Sequence, residues 1–459
     1  MNRFDHPIGT VLKAAKSKRL KHVEVFATSD KGLTVRAFQG QVESFQFSES
    51  SGIGVRVLRQ GTWGYAHTER LDSDACREVL EAASANAQLR SGHDQWEPSD
   101  GPVPEVKGLV APNFDQVPSD AKVQAALELE QVARAADGRI INVPYAEYGD
   151  HLRLVRIANS HGLDRFYQAS IAYAFVMALA AQDGDRKGGS QFACSRSLDF
   201  DVSAIAKDAA ARATSLLGAR PVPSGRYRVV LENRIAATLL ATFSSMFSAK
   251  AVQEGQSRLA DKLGSIIAAP GVTIQDDATS GGLASRPFDD EGVASRPLTV
   301  VESGTLRTFL HNLTTARRAG ATSTGHGARA SYSSPLSVAP SNFILLPGQP
   351  TPEQLAAAAG HGLLITDVEG VHSGADRISG DFSLGAKGFA VLNGQIAHPV
   401  HSIVISGNFL DLLQGVEAIG NDPNPAPFDL GVTCPSLLVR ELAVAGGSQR
   451  AAPGMGMAM

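Results

Sequence analysis

Alternating apolar and polar residues dominate the first part of the chain. Between residues 22 and 70 the segments HVEVFAT, LTVRAFQ, VESFQF, GVRVLRQ and GYAHTE have the two-residue period of half-buried strands, with SDKG and RQG as turn signals between them. The period becomes helical over residues 72–89, and Ser73 is the expected N-cap. We therefore predict five short strands followed by a helix.

The middle of the chain mixes helical and strand periods. Residues 91–118 are rich in Pro, Gly and Asp and have no period, which predicts a linker. Helical patterns follow at residues 119–136 and 202–217, and between them long strands are joined by a hairpin around residues 159–162. The proline-rich segment 219–226 is the expected boundary of the next domain.

Strand patterns prevail after residue 227, with hairpins expected at Ser303-Gly304 and Asn393-Gly394. Two helices interrupt them, at residues 351–359, where Thr351 and Gln354 form a capping box, and at residues 409–418. Helices and strands are segregated and do not alternate regularly. The predicted class is therefore α+β: an N-terminal strand and helix region with antiparallel strands, followed by a β-rich C-terminal domain.

These patterns predict a division of the chain into three folded parts, a linker and a tail. In order, they are an α+β subdomain at 1–90, a linker at 91–118, a second α+β subdomain at 119–222, a β-rich domain at 223–450 and a disordered tail at 451–459.

Composition excludes several classes of protein. The 459 residues carry a formal net charge of −4 with both signs scattered, which argues against a surface that coats nucleic acid. The longest apolar run, residues 171–181, is too short to span a membrane, and the N-terminal residues lack the apolar core of a secretory signal. Three widely spaced cysteines fit a reducing compartment. We expect a cytoplasmic protein that binds neither nucleic acid nor membrane.

A search for catalytic residues finds no complete set. His398 and His401 lie three residues apart on an expected strand, so they point to opposite faces and cannot converge on one metal ion. No nucleophile elbow occurs, and Cys434 has no basic neighbour in the sequence that would activate its thiol. The residues alone indicate an α+β protein without a visible catalytic centre.

Two polar segments remain open to interpretation. Asp289, Asp290 and Glu291 stand in a row before Gly292, so they must be exposed, paired with the flanking arginines or bonded to backbone N–H groups. They either stabilise a turn or line a cleft or an interface. The glycine-rich segment 323–329 is either a tight loop or a nest of N–H groups for an anion.

The helix expected at residues 237–247, ATLLATFSSMF, carries no charge. Leu239, Leu240, Phe243 and Phe247 give it one apolar face, and its other face carries only small uncharged residues. By itself this pattern indicates a core helix.

A series of motifs in the second half resembles a known family. VTIQDDATSGG, RPFDDEGVASRPLTVVESGTLRTFLHN, STGHGAR, NFILLPG and GDFSLGAKGFAVLNGQ follow one another in the order found in the C-terminal domain of the TldD/PmbA family. The resemblance is strong over residues 224–446 and weaker over residues 22–220. These bacterial and archaeal cytoplasmic proteins were first described as modulators of DNA gyrase and are understood as a metalloprotease system.

The resemblance gives the uncharged helix a meaning. In the TldD branch this helix carries HExxxH, which holds zinc with two histidines and supplies a catalytic glutamate. Alignment from Val229 without gaps puts Ala241 and Met246 at the histidine positions and Thr242 at the glutamate position. None of these three side chains can bind zinc or act as the catalytic carboxylate, and the cysteine-bearing loop of TldD is also missing. The chain thus resembles the TldE (PmbA) branch, which implies no cofactor here and zinc in a TldD-like partner.

That branch implies a role in a complex. We expect a heterodimer with an HExxxH subunit that encloses a cavity for unstructured peptides, in which this chain completes the cavity and helps to bind substrate. The alternatives are a homodimer that binds peptides or small molecules without hydrolysis, and an independent peptidase with an unforeseen site.

Three groups of residues are candidates for the cleft or the subunit interface, unless they only form turns that preserve the fold. They are Asp289, Asp290, Glu291 and Gly292; Ser323, Thr324, Gly325 and His326; and Gly380, Asp381, Phe382 and Ser383.

Overall fold

The computed structural model describes residues 3–89, 91–99 and 101–447. The tail predicted to be disordered, residues 451–459, lies outside these ranges. Within them the class is α+β, as predicted: one antiparallel sheet with helices in the N-terminal half, and two further six-stranded sheets in the C-terminal half.

The N-terminal sheet has six antiparallel strands in the order β3-β2-β1-β4-β5-β6. Its strands are β1 Val23–Phe38, β2 Gln41–Arg59, β3 Thr62–Thr68, β4 Ile140–Asn159, β5 Asp164–Gln182 and β6 Asp185–Ser195. Four helices accompany it: α1 Asp5–Ser17, α2 Ser73–Asn86, α3 Ser119–Ala135 and α4 Val202–Ser215. Residues 1–90 and 119–222, predicted as separate subdomains, each contribute three strands to this one sheet.

The prediction of five short strands before residue 70 is wrong: SDKG is not a turn, and residues 41–59 form one continuous strand, so three strands result. Asp30 and Lys31 lie inside β1 and pair with Ser50 and Glu49 of β2 on one side and with β4 on the other. Pairing on both sides satisfies the backbone of this polar segment and holds it extended. By contrast RQG forms the predicted turn, with positive φ at Gln60 and Gly61.

The predicted helix caps are partly correct. Asp72, not Ser73, caps α2, since its carboxylate accepts the N–H of Ala75 at 2.9 Å. The capping box of Thr351 and Gln354 forms as predicted. The helix predicted at residues 409–418 ends at Gln414, because the chain turns there into a strand.

Strand β5 separates two environments. Its even-numbered residues from Ala172 to Ala180 are fully buried in the core formed with α3 and α4. Small side chains at these positions let the two helices lie close to the sheet. Its odd-numbered residues, which include Ile171, Tyr173 and Phe175, face away from the helices and are only half buried.

The C-terminal half contains two six-stranded sheets, β16-β15-β14-β7-β20-β17 and β10-β9-β8-β13-β19-β18, and a pair of short strands, β11 and β12. The strands are β7 Gly225–Leu231, β8 Ile274–Asp276, β9 Leu298–Glu302, β10 Thr305–Leu306, β11 Gly327–Ala328, β12 Ser337–Val338, β13 Phe343–Leu345, β14 Gly362–Glu369, β15 Asp381–Leu392, β16 Gln395–Asn408, β17 Val416–Ile419, β18 Asn424–Ala426, β19 Asp429–Cys434 and β20 Leu437–Ala445. The helices are α5 Asn233–Phe243, α6 Ala249–Gln253, α7 Leu313–Arg318, α8 Pro352–Ala359, α9 Val371–Gly374 and α10 Phe409–Gln414.

Helix α5 is the element around which this half is organised. It follows β7 directly and contacts β14, β18 and β19. Its apolar residues Leu239, Leu240 and Phe243 belong to one large core shared with both sheets. At Ser244 the chain tightens into a 3₁₀ turn, Ser244–Phe247, which redirects the following side chains into that core.

The predicted linker at residues 91–118 contains, within the described part, one short 3₁₀ helix, Phe114–Gln116. Its first portion is fixed by Trp96, whose ring stacks on His161 at 4.4 Å between centroids. No helix among the described residues combines the length and apolarity that a membrane crossing requires. The remaining domain bounds stay predictions.

Candidate functional site

Two neighbouring cavities lie where the open face of the N-terminal sheet meets the C-terminal half. The first cavity, about 590 Å³, is bounded by β4 and β5 on one side and by residues 283–290 on the other. The second cavity, about 420 Å³, lies beside α5 and α9. Phe192 and Phe428 line both cavities, so these two rings form their common wall.

The sheet side of the first cavity carries polar groups at alternate positions of β4, namely Glu147, His151 and Arg153. The Tyr173 hydroxyl donates to Glu147 Oε1 at 2.9 Å, and burial together with this carboxylate raises the pKa of Tyr173 to about 12. Arg153 lies 3.8 Å from Asp30, which also lines the cavity. The sheet side of the first cavity thus combines polar and aromatic side chains.

A buried ionic network beside the first cavity joins the two halves of the chain. Glu24 of β1 accepts from Arg56 Nη2 at 2.9 Å and from Arg329 Nη2 at 2.7 Å. Arg56 also donates to Glu291 at 2.8 Å. Burial acts to raise the pKa of Glu24, but the two guanidinium groups outweigh it and hold that pKa below its ordinary value. The network keeps the cavity walls in register.

The acidic segment therefore has divided roles. Asp289 accepts the N–H groups of Glu291 and Val293, each at 2.9 Å, and of Gly327 at 2.7 Å, which fixes the turn. Burial and the neighbouring Glu291 carboxylate raise the pKa of Asp289 well above its ordinary value. Asp290 lines the first cavity, and Glu291 spans the junction between the halves.

The glycine-rich segment is buried behind the acidic one. His326 Nε2 lies 2.9 Å from Asp276 Oδ1, and Thr324 Oγ1 lies 2.8 Å from His326 Nδ1. Ser323 is also buried, and Gly325 has a positive φ, which a tight loop requires. The polar groups of Ser323, Thr324 and His326 bond to the protein itself.

The third group lies elsewhere, at the beginning of β15. Gly380 has a positive φ, and Asp381 accepts from Asn408 at 2.8 Å. Ser383 is exposed and pairs with Ser406 in the sheet, whereas Phe382 is buried against Phe243. The structure thus does not bring all three candidate groups together.

The helix positions singled out by alignment face different surroundings. Ala241 and Thr242 line the second cavity, whereas Met246, carried past the end of α5 by the 3₁₀ turn, is fully buried in the core. The Thr242 hydroxyl donates to the Thr238 carbonyl at 2.7 Å. A methyl group, an occupied hydroxyl and a buried thioether do not fit a zinc ion.

Other potential metal ligands in the described part of the chain do not converge on one point either. Among residues 3–89, 91–99 and 101–447, no three His, Cys, Asp or Glu side chains are arranged so that they could hold a metal ion. We therefore derive no metal-dependent step for the residues of this chain.

Sequence reasoning missed Phe428, the most unusual residue of the site. It is the second residue of the two-residue turn between Ala426 and Asp429, and its φ of 65° is one that bulky residues rarely adopt. Its side chain is 70% exposed, yet its ring lies 4.8 Å from that of Phe192 and 5.6 Å from that of Phe175. No local sequence pattern predicts such a position.

No sequence pattern pointed to the acidic groups of the second cavity. Burial raises the pKa of Asp367 and of Asp429 above the ordinary range. Both line this cavity together with His372 and Arg377. The alternation of β4 and β5 is the only local signal that could have indicated which residues face the cavities.

Comparison with known proteins finds matches along most of the chain. Three family models match in sequence order: PmbA/TldA metallopeptidase domain 1 at residues 23–87, the central domain at 112–217 and the C-terminal domain at 224–446. A Haemophilus influenzae protein named as a metalloprotease PmbA homolog is 30% identical over 410 residues, which are 87% of each chain.

Solved structures agree with this placement. A Thermotoga maritima protein described as a modulator of a DNA gyrase is 34% identical and superimposes with a TM-score of 0.89, covering 96% of this chain and all of that one. TldE from Thermococcus kodakarensis has the same fold, with a TM-score of 0.87, 21% identity and coverage of 96% and 100%. The chain belongs to the TldD/PmbA family.

Proposed function

We propose that this protein is the TldE-like subunit of a cytoplasmic two-chain metalloprotease that cleaves unstructured peptides. In this proposal the zinc belongs to a TldD-like partner with HExxxH, and this chain binds no metal and contributes cavity walls and substrate contacts. One observation carries it: Ala241 and Thr242, at positions where the zinc branch has a ligand and its base, line a cavity but offer no suitable donors.

The open sheet face supports the substrate class. An extended peptide presents alternating side chains and free backbone groups, and the cavities offer aromatic rings beside scattered charges. Such a surface suits chains without a fold of their own, because an extended segment can lay its side chains along the sheet face, whereas a folded domain keeps its backbone groups bonded internally.

Co-expression with an HExxxH chain from the same genome tests the proposal. We expect one complex in size-exclusion chromatography at micromolar concentration, and cleavage of an unstructured peptide by the complex far above that by either chain alone. The matched control is the partner with its HExxxH glutamate changed to glutamine, which should assemble but not cleave. Separate elution of the two wild-type chains contradicts the proposal.

A second candidate is a homodimer that binds peptides or small molecules without hydrolysis. Its binding role, but not its dimeric state, is supported by the first cavity, which is formed within one chain and has a volume of about 590 Å³, in the range of ligand sites. The same experiment separates the two: a homodimer that ignores the HExxxH chain and still binds peptide supports this candidate.

A further inference from the structure

Arg286 is a cation with unmet hydrogen-bonding capacity at the wall of the first cavity. Its side chain is 12% exposed, and its Nε and Nη2 atoms are buried without a partner. The nearest carboxylate oxygen, Asp290 Oδ1, lies 3.7 Å from Nη1, beyond hydrogen-bond range. Buried donors without acceptors are costly, so a position that retains them points to an acceptor that arrives from outside.

The other guanidinium groups of the cavity already donate hydrogen bonds. Arg329 donates to Glu24 at 2.7 Å and to the carbonyl of Asp290 at 2.7 Å. Arg153 faces Asp30 at 3.8 Å and donates to the Ala330 carbonyl at 3.2 Å. Arg286 is therefore the arginine of this wall best able to take up a new anion.

Apolar side chains line the same cavity, beside the carboxylates of Asp30, Glu147 and Asp290. They are Ile171, Tyr173, Phe192, Phe428 and Leu430. A group that satisfies both Arg286 and these apolar side chains combines a planar oxyanion, which an arginine fork binds with two hydrogen bonds, and an adjacent bulky apolar side chain. The last residue of a peptide has this combination.

We propose that the first cavity binds the C-terminal residue of a peptide, with its free carboxylate on Arg286 and its side chain against the Tyr173, Phe192 and Phe428 rings. The preceding residues then pass Phe428 toward the second cavity and α5. This inference rests on the proposed peptide-binding function and adds its specificity, a preference for free and apolar C-termini.

The test is fluorescence anisotropy with the full chain, which contains the cavity, and N-terminally labelled hexapeptides ending in phenylalanine. We expect the free acid to bind about tenfold more tightly than its amide, because hydrogen bonds to a charged acceptor contribute more than those to a neutral one. A third probe, the amide with an internal glutamate, should bind like the plain amide, because the proposed site takes a terminal and not a side-chain carboxylate.

Substitution assigns the effect to Arg286. Arg286→Gln should abolish the preference for the acid over the amide, whereas Arg307→Gln, an exposed arginine paired with Glu302 outside the cavity, should retain it. Arg286→Lys, which keeps the charge but not the fork, should retain only part of the preference and serves if the glutamine variant does not fold.

Two results would contradict the binding of a terminal carboxylate by Arg286. Equal binding of acid and amide by the wild type, or an unchanged preference in both Arg286 variants, overturns this inference and leaves the proposed function intact. Failure of the wild type to bind any of the peptides contradicts the proposed function as well.

Discussion

Phe428 shows how one residue can reveal a functional surface. A phenylalanine at positive φ costs about 1–2 kcal/mol relative to an ordinary conformation, and glycine would avoid that cost. The exposed ring separates the two cavities. Strain that persists in an exposed turn is typical of residues kept for contact with a ligand.

The first prediction concerns this strain. Phe428→Gly should be more stable than Phe428→Ala by about 1 kcal/mol, because both variants lose the ring but only alanine keeps the strain. Urea unfolding of the two variants measures the difference directly. Equal stability of the alanine and glycine variants would show that position 428 is not left-handed in solution.

The same pair of variants tests the role of the ring. Both should bind peptide more weakly than the wild type, because a ring that contacts a bound apolar group contributes about 1 kcal/mol. The loss should be equal in the two variants, since they differ in backbone freedom and not in contacts. Unchanged binding would assign Phe428 to the fold alone.

At the scale of elements, local signals were sufficient where a few neighbouring residues decide the conformation. The turn at Gln60-Gly61 and the capping box at Thr351 follow from residues in direct sequence contact. SDKG misled because pairing with β2 and β4 overrides its turn preference. Arg286 and Phe428 could not be found, because the cavity they share joins segments far apart in sequence.

The second prediction concerns helix α5 and the 3₁₀ turn that follows it. Met246→His should destabilise the fold by about 3 kcal/mol, because it replaces a fully buried thioether in the core with a polar ring. Ala241→His, on the cavity side of α5 just before the 3₁₀ turn that carries Met246, should change stability by about 1 kcal/mol or less. Chemical denaturation of both variants tests the contrast, and comparable losses would contradict the placement of Met246 in the core and of Ala241 at the cavity.

At the scale of the whole molecule, the network of Glu24, Arg56, Arg329 and Glu291 ties the N-terminal sheet to the C-terminal half. It is fully enclosed, so its charges depend on one another. Removing one partner leaves a buried charge uncompensated, whereas an exposed ion pair can be lost with little effect.

The third prediction follows from that enclosure. Glu24→Gln should destabilise the protein by about 3 kcal/mol at pH 7, because two buried guanidinium groups lose their shared carboxylate. The control is Glu43→Gln, whose exposed pair with Arg36 should contribute less than about 1 kcal/mol. Urea unfolding measures both, and similar effects would contradict a buried network.

The effect of Glu24 should also depend on pH in one direction. Because its pKa is lower in the folded protein, its contribution is fully present above the unfolded value of about 4.3. It is lost as the pH falls from there toward the folded pKa. The stability difference between wild type and Glu24→Gln should therefore shrink between pH 5 and pH 3, measured on the same unfolding curves. A difference that grows on acidification contradicts this sign.

The central claim is that this chain supplies architecture and substrate contacts while its partner supplies the metal. Zinc content, measured by plasma mass spectrometry on protein purified without chelators, tests it most directly. We predict roughly no zinc in the isolated chain and about one zinc per complex with the HExxxH partner, as its single ligand set requires. About one zinc bound per isolated chain would contradict the account.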